Sequence, residues 1–88
     1  MRVRFSGALL RFTDYHRTVD IGAGTMGTAL RELEERFPLL SPVLRDDDGD
    51  LRRVHQVFLN GEKLGDLSDA LVLHDSDELE FLTPLAGG

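Results

Sequence analysis

The stretch Leu73-His74-Asp75-Ser76-Asp77-Glu78-Leu79-Glu80-Phe81-Leu82-Thr83-Pro84-Leu85-Ala86-Gly87-Gly88 carries more structural information than any other part of the chain. Asp75-Ser76-Asp77 reads as a turn, because Asp and Ser side chains hydrogen-bond to nearby backbone and so favour chain reversal. Glu78 to Leu82 then alternates polar and apolar residues, the period of a strand with one buried face. Pro84 has no N–H to give to a ladder and a fixed φ, so the strand should end before it. The residues beyond it are expected to project as a flexible tail ending in Gly87-Gly88.

Working back from this strand, Val54 to Leu59 is rich in β-branched and aromatic residues and predicts a central strand. Asn60-Gly61 tolerates positive φ at both positions and predicts a hairpin turn into a short return strand, Glu62-Lys63-Leu64. Ser41-Pro42 and the run Arg45-Asp46-Asp47-Asp48-Gly49-Asp50 read as a polar loop region. Ahead of them, Met26, Leu30, Leu33 and Phe37 recur at helical spacing, with Arg31, Glu32, Glu34 and Glu35 on the other side. Thr25 supplies a cap for the start of this helix, after the break at Gly22-Ala23-Gly24, and Pro38 supplies its stop. The apolar stripe is the face that packs on a sheet. At the other end of the chain, Val3 and Phe5 alternate with Arg2 and Arg4, and Thr18-Val19-Asp20-Ile21 alternates again, predicting two strands paired as a long hairpin. The expected order is strand, strand, helix, strand, short strand, strand, tail: an α+β domain over residues 1–83 with a tail over 84–88.

With 88 residues the chain can build one core and not two. Hydrophobic residues at 41% and charged residues at 30% have the balance of a folded domain. Sixteen acidic against ten basic side chains give a net charge of -6, which repels phosphate backbones and anionic membranes, so neither nucleic acid nor a membrane is expected as a partner. Met1-Arg2-Val3-Arg4-Phe5 lacks the apolar run of a signal peptide, and Ala70 to Leu73 is far too short to span a bilayer, so a cytoplasmic location is expected. There is no cysteine, which removes disulfides, thiolate metal sites and thiol nucleophiles from consideration.

Little else in the chain suggests chemistry. With Gly49 at the sixth position of a calcium loop, Asp46 and Asp48 fall on ligand positions, but Leu44 and His55 occupy the first and twelfth, where carboxylates are needed. His16, His55 and His74 have no helical pairing that would favour a metal, and read as surface or partly buried histidines. No metal site, bound cofactor or catalytic set is therefore expected, and the chain is read as a non-enzyme. Two glycines at a terminus arise by chance in only about one chain in two hundred. A terminal carboxylate is ionised near neutral pH and is a poor electrophile until activated. Gly87 and Gly88, without Cβ atoms, give a backbone thin enough to enter an activating enzyme's narrow channel. Pro84 stiffens the root of the tail, and Leu85, beside Ala86, offers an apolar anchor.

These features together resemble the β-grasp, ubiquitin-like sulfur carriers: ThiS of thiamine synthesis, MoaD of molybdopterin synthesis and CysO of cysteine synthesis. The likeness spans nearly the whole chain and is anchored by the Thr25 to Pro38 helix, by Val57-Phe58-Leu59-Asn60-Gly61-Glu62, and by Leu73 to Gly88. It implies a mixed sheet packed on one main helix. It also implies that the Gly88 carboxylate is adenylated by a ThiF- or MoeB-like enzyme using ATP and magnesium, takes sulfur from a sulfurtransferase or persulfide donor, and passes it as a thiocarboxylate to a recipient biosynthetic enzyme. Leu51-Arg52-Arg53-Val54 is more like CysO than the shorter ThiS. Asp75-Ser76-Asp77 stands where many relatives have Asp-Gly-Asp, and Thr83 where a second proline is common. The resemblance leaves open a small subunit of molybdopterin synthase, a modifier conjugated to lysines, and an interaction domain with an inert tail. Strand parity adds a surface: if Val57, Leu59, Leu79 and Phe81 face the core, Phe58 and Leu82 face outward and with Leu85 would form an apolar docking patch.

Overall fold

The computed structural model describes residues 1–22, 24–50, 55–65 and 68–83. Strand β1, Arg2–Gly7, buries Val3 and Phe5 and turns Arg2 and Arg4 outward, as its alternation requires. It pairs antiparallel with β2, Thr18–Asp20, placing Val3 opposite Val19. The connection between them is a 3-10 helix, Ala8–Phe12, which tucks Leu9 wholly into the core. Its sequence carries no period long enough to announce it.

A two-residue strand β3, Gly24–Thr25, leads into helix α1, Met26–Arg36. The cap is reciprocal: the Thr28 N–H donates to Thr25 Oγ1 at 3.3 Å, and the Thr25 N–H donates to Thr28 Oγ1 at 2.9 Å. The helix ends at Phe37, before Pro38, and buries Met26, Leu30, Leu33 and Phe37 as the spacing predicts, with Ala29 beside them. Strand β4, Gln56–Leu59, turns through Asn60 (φ 52°) and Gly61 (φ 86°) into β5, Glu62–Lys63. Strand β6, Val72–Leu73, pairs antiparallel with β3, and β7, Glu78–Thr83, closes the described chain. The main sheet has the order β2-β1-β7-β4-β5, with β1 and β7 parallel at its centre and the other pairs antiparallel. This is the mixed sheet and helix of a β-grasp domain.

One core joins the layers. Val3, Phe5, Val57, Leu79 and Phe81 from the sheet meet Met26, Ala29, Leu30 and Leu33 from α1 in a single buried cluster. Phe5 stacks on Phe81 with ring centroids 5.8 Å apart and meets Phe37 edge-on at 6.4 Å, tying the end of the helix to the two central strands.

Three expectations need correction. The loop expected around Ser41-Pro42 is instead helical: a 3-10 turn, Pro38–Leu40, runs into a short helix α2, Ser41–Leu44. Leu40 and Leu44, four apart, are both fully buried, and Pro42 sits in the first turn, where a missing N–H costs no helical bond. The second correction is the additional pair β3 and β6, which is too short to show a period. The third concerns β7, which continues through Thr83 rather than stopping at Leu82. The central strand begins at Gln56, and Val54 with the rest of 51–54 lies outside the described residues. The acidic loop after α2 is organised by its own backbone, with Asp46 Oδ1 accepting the Asp48 and Asp50 N–H groups. Arg45 anchors that loop to α1 through Nε, 2.9 and 3.1 Å from the two Glu34 carboxylate oxygens.

Candidate functional site

Strand β7 points Leu79, Phe81 and Thr83 into the protein and leaves Glu78, Glu80 and Leu82 partly exposed on the other face. On β4, Val57 is buried and Phe58 is half-buried on that same outer face, while Leu59 packs against the rim of the core. The register places Phe58 opposite Glu80 and Gln56 opposite Leu82, so Phe58 and Leu82 are diagonal neighbours. Lys63 lies opposite Phe58 on the edge strand, and Arg4 bonds to Glu78 at 3.2 Å further across the sheet. The face is thus apolar in one corner, near the end of β7, and charged elsewhere. Among the described residues the most exposed large apolar side chains, Tyr15, Leu39 and Val72, lie elsewhere in the chain and were not singled out by the sequence.

Of the residues the sequence nominates, Phe58 and Leu82 are brought together in this way. Pro84, Leu85, Ala86, Gly87 and Gly88 lie outside the described residues. Peptide connectivity nonetheless fixes where they start: at Thr83, the last residue of β7.

Thr83 is held unusually well, and sequence reasoning missed how. It is only 9% exposed, and its Oγ1 is hydrogen-bonded to Nδ1 of His55, itself 7% exposed. The other ring nitrogen, Nε2, lies 2.8 Å from the carbonyl oxygen of Val43 in α2. Against the backbone of Thr83 sits Gly7, with φ 70° and ψ -140°; a Cβ there would overlap the Thr83 carbonyl oxygen and stand 3.2 Å from its carbon. His55 and Thr83 are 28 residues apart, so no local pattern could have joined them. The one available signal was the threonine itself, standing where the family resemblance leads one to expect a second proline.

Among the described residues no cluster of metal-ligating side chains is present, and none of their helices is long and apolar enough to cross a membrane. The turn before β7 is stitched to the β4–β5 hairpin. Asn60 Nδ2 donates to Asp77 Oδ1 at 2.9 Å, the His74 N–H donates to Asp77 Oδ2 at 2.8 Å, and the Glu78 N–H donates to Asn60 Oδ1 at 2.9 Å. The hydrogen bond from Asn60, followed by the one from the His74 backbone, holds the Asp77 carboxyl below the usual aspartate range.

Comparison with known proteins agrees with the fold. The model of the ThiS family matches residues 3–88. Among solved structures, SAMP1 of Haloferax volcanii is 30% identical over 99% of this chain and 97% of its own, with a TM-score of 0.81. CysO of Mycobacterium tuberculosis is 25% identical over 96% of this chain and 98% of its own, with a TM-score of 0.79. A chain of the Amycolatopsis orientalis BexX/CysO complex, 24% identical over 99% of this chain and 98% of its own, shares the fold at a TM-score of 0.80. Comparison with curated proteins finds no match.

Proposed function

Because the chain belongs to the ThiS family, we propose that it is a sulfur carrier whose reactive group is the carboxylate of Gly88, borne on a tail formed by residues 84–88. The observation that carries this reading is that the family match runs through residue 88, so that Gly87-Gly88 falls inside it. A ThiF- or MoeB-like enzyme supplies ATP and magnesium. The Gly88 carboxylate attacks the α-phosphorus and pyrophosphate leaves; the terminal sulfur of a donor persulfide, such as that of a sulfurtransferase, then displaces AMP to give an acyl disulfide. A second thiol of the donor system attacks the donor's own sulfur, forming a disulfide there and releasing the thiocarboxylate, whereas free sulfide displaces AMP and gives the thiocarboxylate in one step. The recipient is a biosynthetic enzyme served by a CysO-like or MoaD-like donor. This chain acts throughout as a protein co-substrate and binds no cofactor of its own. The diagonal pair Phe58 and Leu82, with Pro84, Leu85 and Ala86, forms the docking surface. The BexX/CysO complex, in which a protein of the same fold meets a partner, supports a partnership with another protein.

The test is the mass of the intact chain after incubation with the adenylating enzyme, ATP, magnesium and sulfide. Exchange of one oxygen for sulfur adds about 16 mass units; no cysteine can mimic the gain, and because oxidation of Met1 or Met26 adds the same nominal mass, the gain must depend on ATP and map to the C-terminal fragment. Deleting Gly88, or adding one residue after it, should abolish the gain. A backbone step moves the reacting carbon by about 3.8 Å, more than the 3–3.5 Å approach the reaction allows. An unmodified mass, together with full biological activity of the chain lacking Gly88, would overturn the proposal.

A second reading is favoured by the likeness to H. volcanii small archaeal modifier protein 1. Here the activated Gly88 is attacked by lysine amines of other proteins. Its signature is a ladder of conjugates that survives denaturing electrophoresis and is lost on deletion of Gly88.

A further inference from the structure

We propose that His55 is a positioning residue for the chemistry of Gly88: with Gly7 it clamps Thr83 and so fixes the point from which the chain continues toward Gly88. The inference rests on the reading of Gly88 as the reacting group.

The proton assignment follows from the partners. A carbonyl oxygen can only accept, so the His55 Nε2 facing Val43 carries the hydrogen. In the neutral imidazole Nδ1 is then the acceptor, and the Thr83 hydroxyl must donate to it. Both side chains are almost wholly removed from water, so no solvent molecule replaces either bond at low cost. The hydroxyl fixes the Thr83 side chain. Gly7, the last partner of Thr83 in the parallel ladder, fixes its main chain by allowing an approach that any Cβ would forbid. Through Val43 the clamp also reaches α2, whose following residue, Arg45, is paired to Glu34 of α1. The root of the tail is therefore fastened to the sheet on one side and to the helical layer on the other.

Such fastening matters because the tail is short. Five residues from 84 to 88 span at most about 16–18 Å. If an activating site is reached by a nearly extended tail, little slack remains. A shift of Thr83 by about 3 Å then cannot be taken up within that reach, and it equals the whole near-attack distance. Docking through Phe58 and Leu82 sets how tightly the carrier is held, and the clamp sets where its carboxylate arrives.

The deciding variant is Thr83→Val, which deletes the hydroxyl, keeps the branched shape and leaves His55 Nδ1 without its donor. In ATP–pyrophosphate exchange with the ThiF- or MoeB-like enzyme, kcat should fall roughly tenfold while KM for the carrier stays within about twofold. Thr83→Ser, which restores the hydroxyl, should recover kcat to within about threefold of the native chain. Native-like kcat and KM for Thr83→Val would overturn the inference. If the native chain itself supports no exchange, the reading of Gly88 has failed, and the clamp is judged by nitrogen NMR alone. The native His55 ring must then carry its hydrogen on Nε2, toward the Val43 carbonyl, and Thr83→Val must speed amide hydrogen exchange at residue 83. An Nδ1–H tautomer or unchanged exchange would overturn it.

Discussion

Replacing Gly7 by alanine tests how firmly the end of the central ladder is built. Gly7 has φ 70° and ψ -140°, a region nearly closed to residues with a Cβ, and forcing alanine into such a conformation costs about 1–3 kcal/mol. The strain has no cheap relief. The atom that a Cβ would strike is the main-chain oxygen of Thr83, which moves only if the last step of the β1–β7 pairing opens, at a further cost of about 1 kcal/mol. The sum, about 2–4 kcal/mol, should lower the melting temperature by about 8–32 °C at 4–8 °C per kcal/mol for a domain of this size. Gly65→Ala is the control, because a Cβ there meets nothing within 4 Å and the residue has no positive φ. Its melting temperature should stay within about 4 °C of the native value. Thermal unfolding followed by far-ultraviolet circular dichroism reads both. A Gly7→Ala protein melting within about 4 °C of native would refute the reasoning, since it would mean that Thr83 yields without cost and that the root of the tail is not held.

Leu33 is fully buried and Phe37 nearly so at the joint between α1 and the sheet; alanine at either should cost roughly 2–5 kcal/mol in denaturant unfolding, and unchanged midpoints would contradict the helix-on-sheet packing. Phe58→Asp or Leu82→Asp should leave the domain folded, because the side chain sits on the solvent side of the sheet, but weaken binding to the adenylating enzyme about tenfold or more in calorimetry. Unfolding of either variant would show that these positions belong to the core. Asp77 gives a pH dependence. Its folded pKa lies below the ordinary value of 3.8, so its contribution is complete above that value and is lost as pH falls through the lower folded one. Stability measured on acidification should therefore decline less steeply through this range for Asp77→Asn than for the native chain, and identical slopes would show that the Asn60 and His74 bonds do not favour the ionised carboxylate.

Much of this architecture was legible in the residues because its signals are local. Val3 and Phe5, Leu79 and Phe81 alternate within one strand; Met26, Leu30 and Leu33 recur within one helix; Thr25, Pro38 and Asn60-Gly61 act through their own backbone geometry. The diglycine was likewise a property of the chain order, legible without any fold. Short elements escaped because a period needs length: β3 and β6 have two residues each, and Ser41-Pro42 looked like a turn although Leu40 and Leu44 bury themselves on one side of a helical turn.

The tertiary structure decided what depends on register between distant segments. That β1 and β7 run parallel at the centre of the sheet, that Phe58 lies diagonal to Leu82, and that His55 bonds to Thr83 across 28 residues are consequences of how strands align. Strand pairing is set by the sum of core contacts, and no residue carries it alone. Sequence nominated the group proposed to react, because chemistry belongs to residue types. Only folding decided what holds the root of the tail, because a clamp is a relation between three segments that the chain order keeps apart.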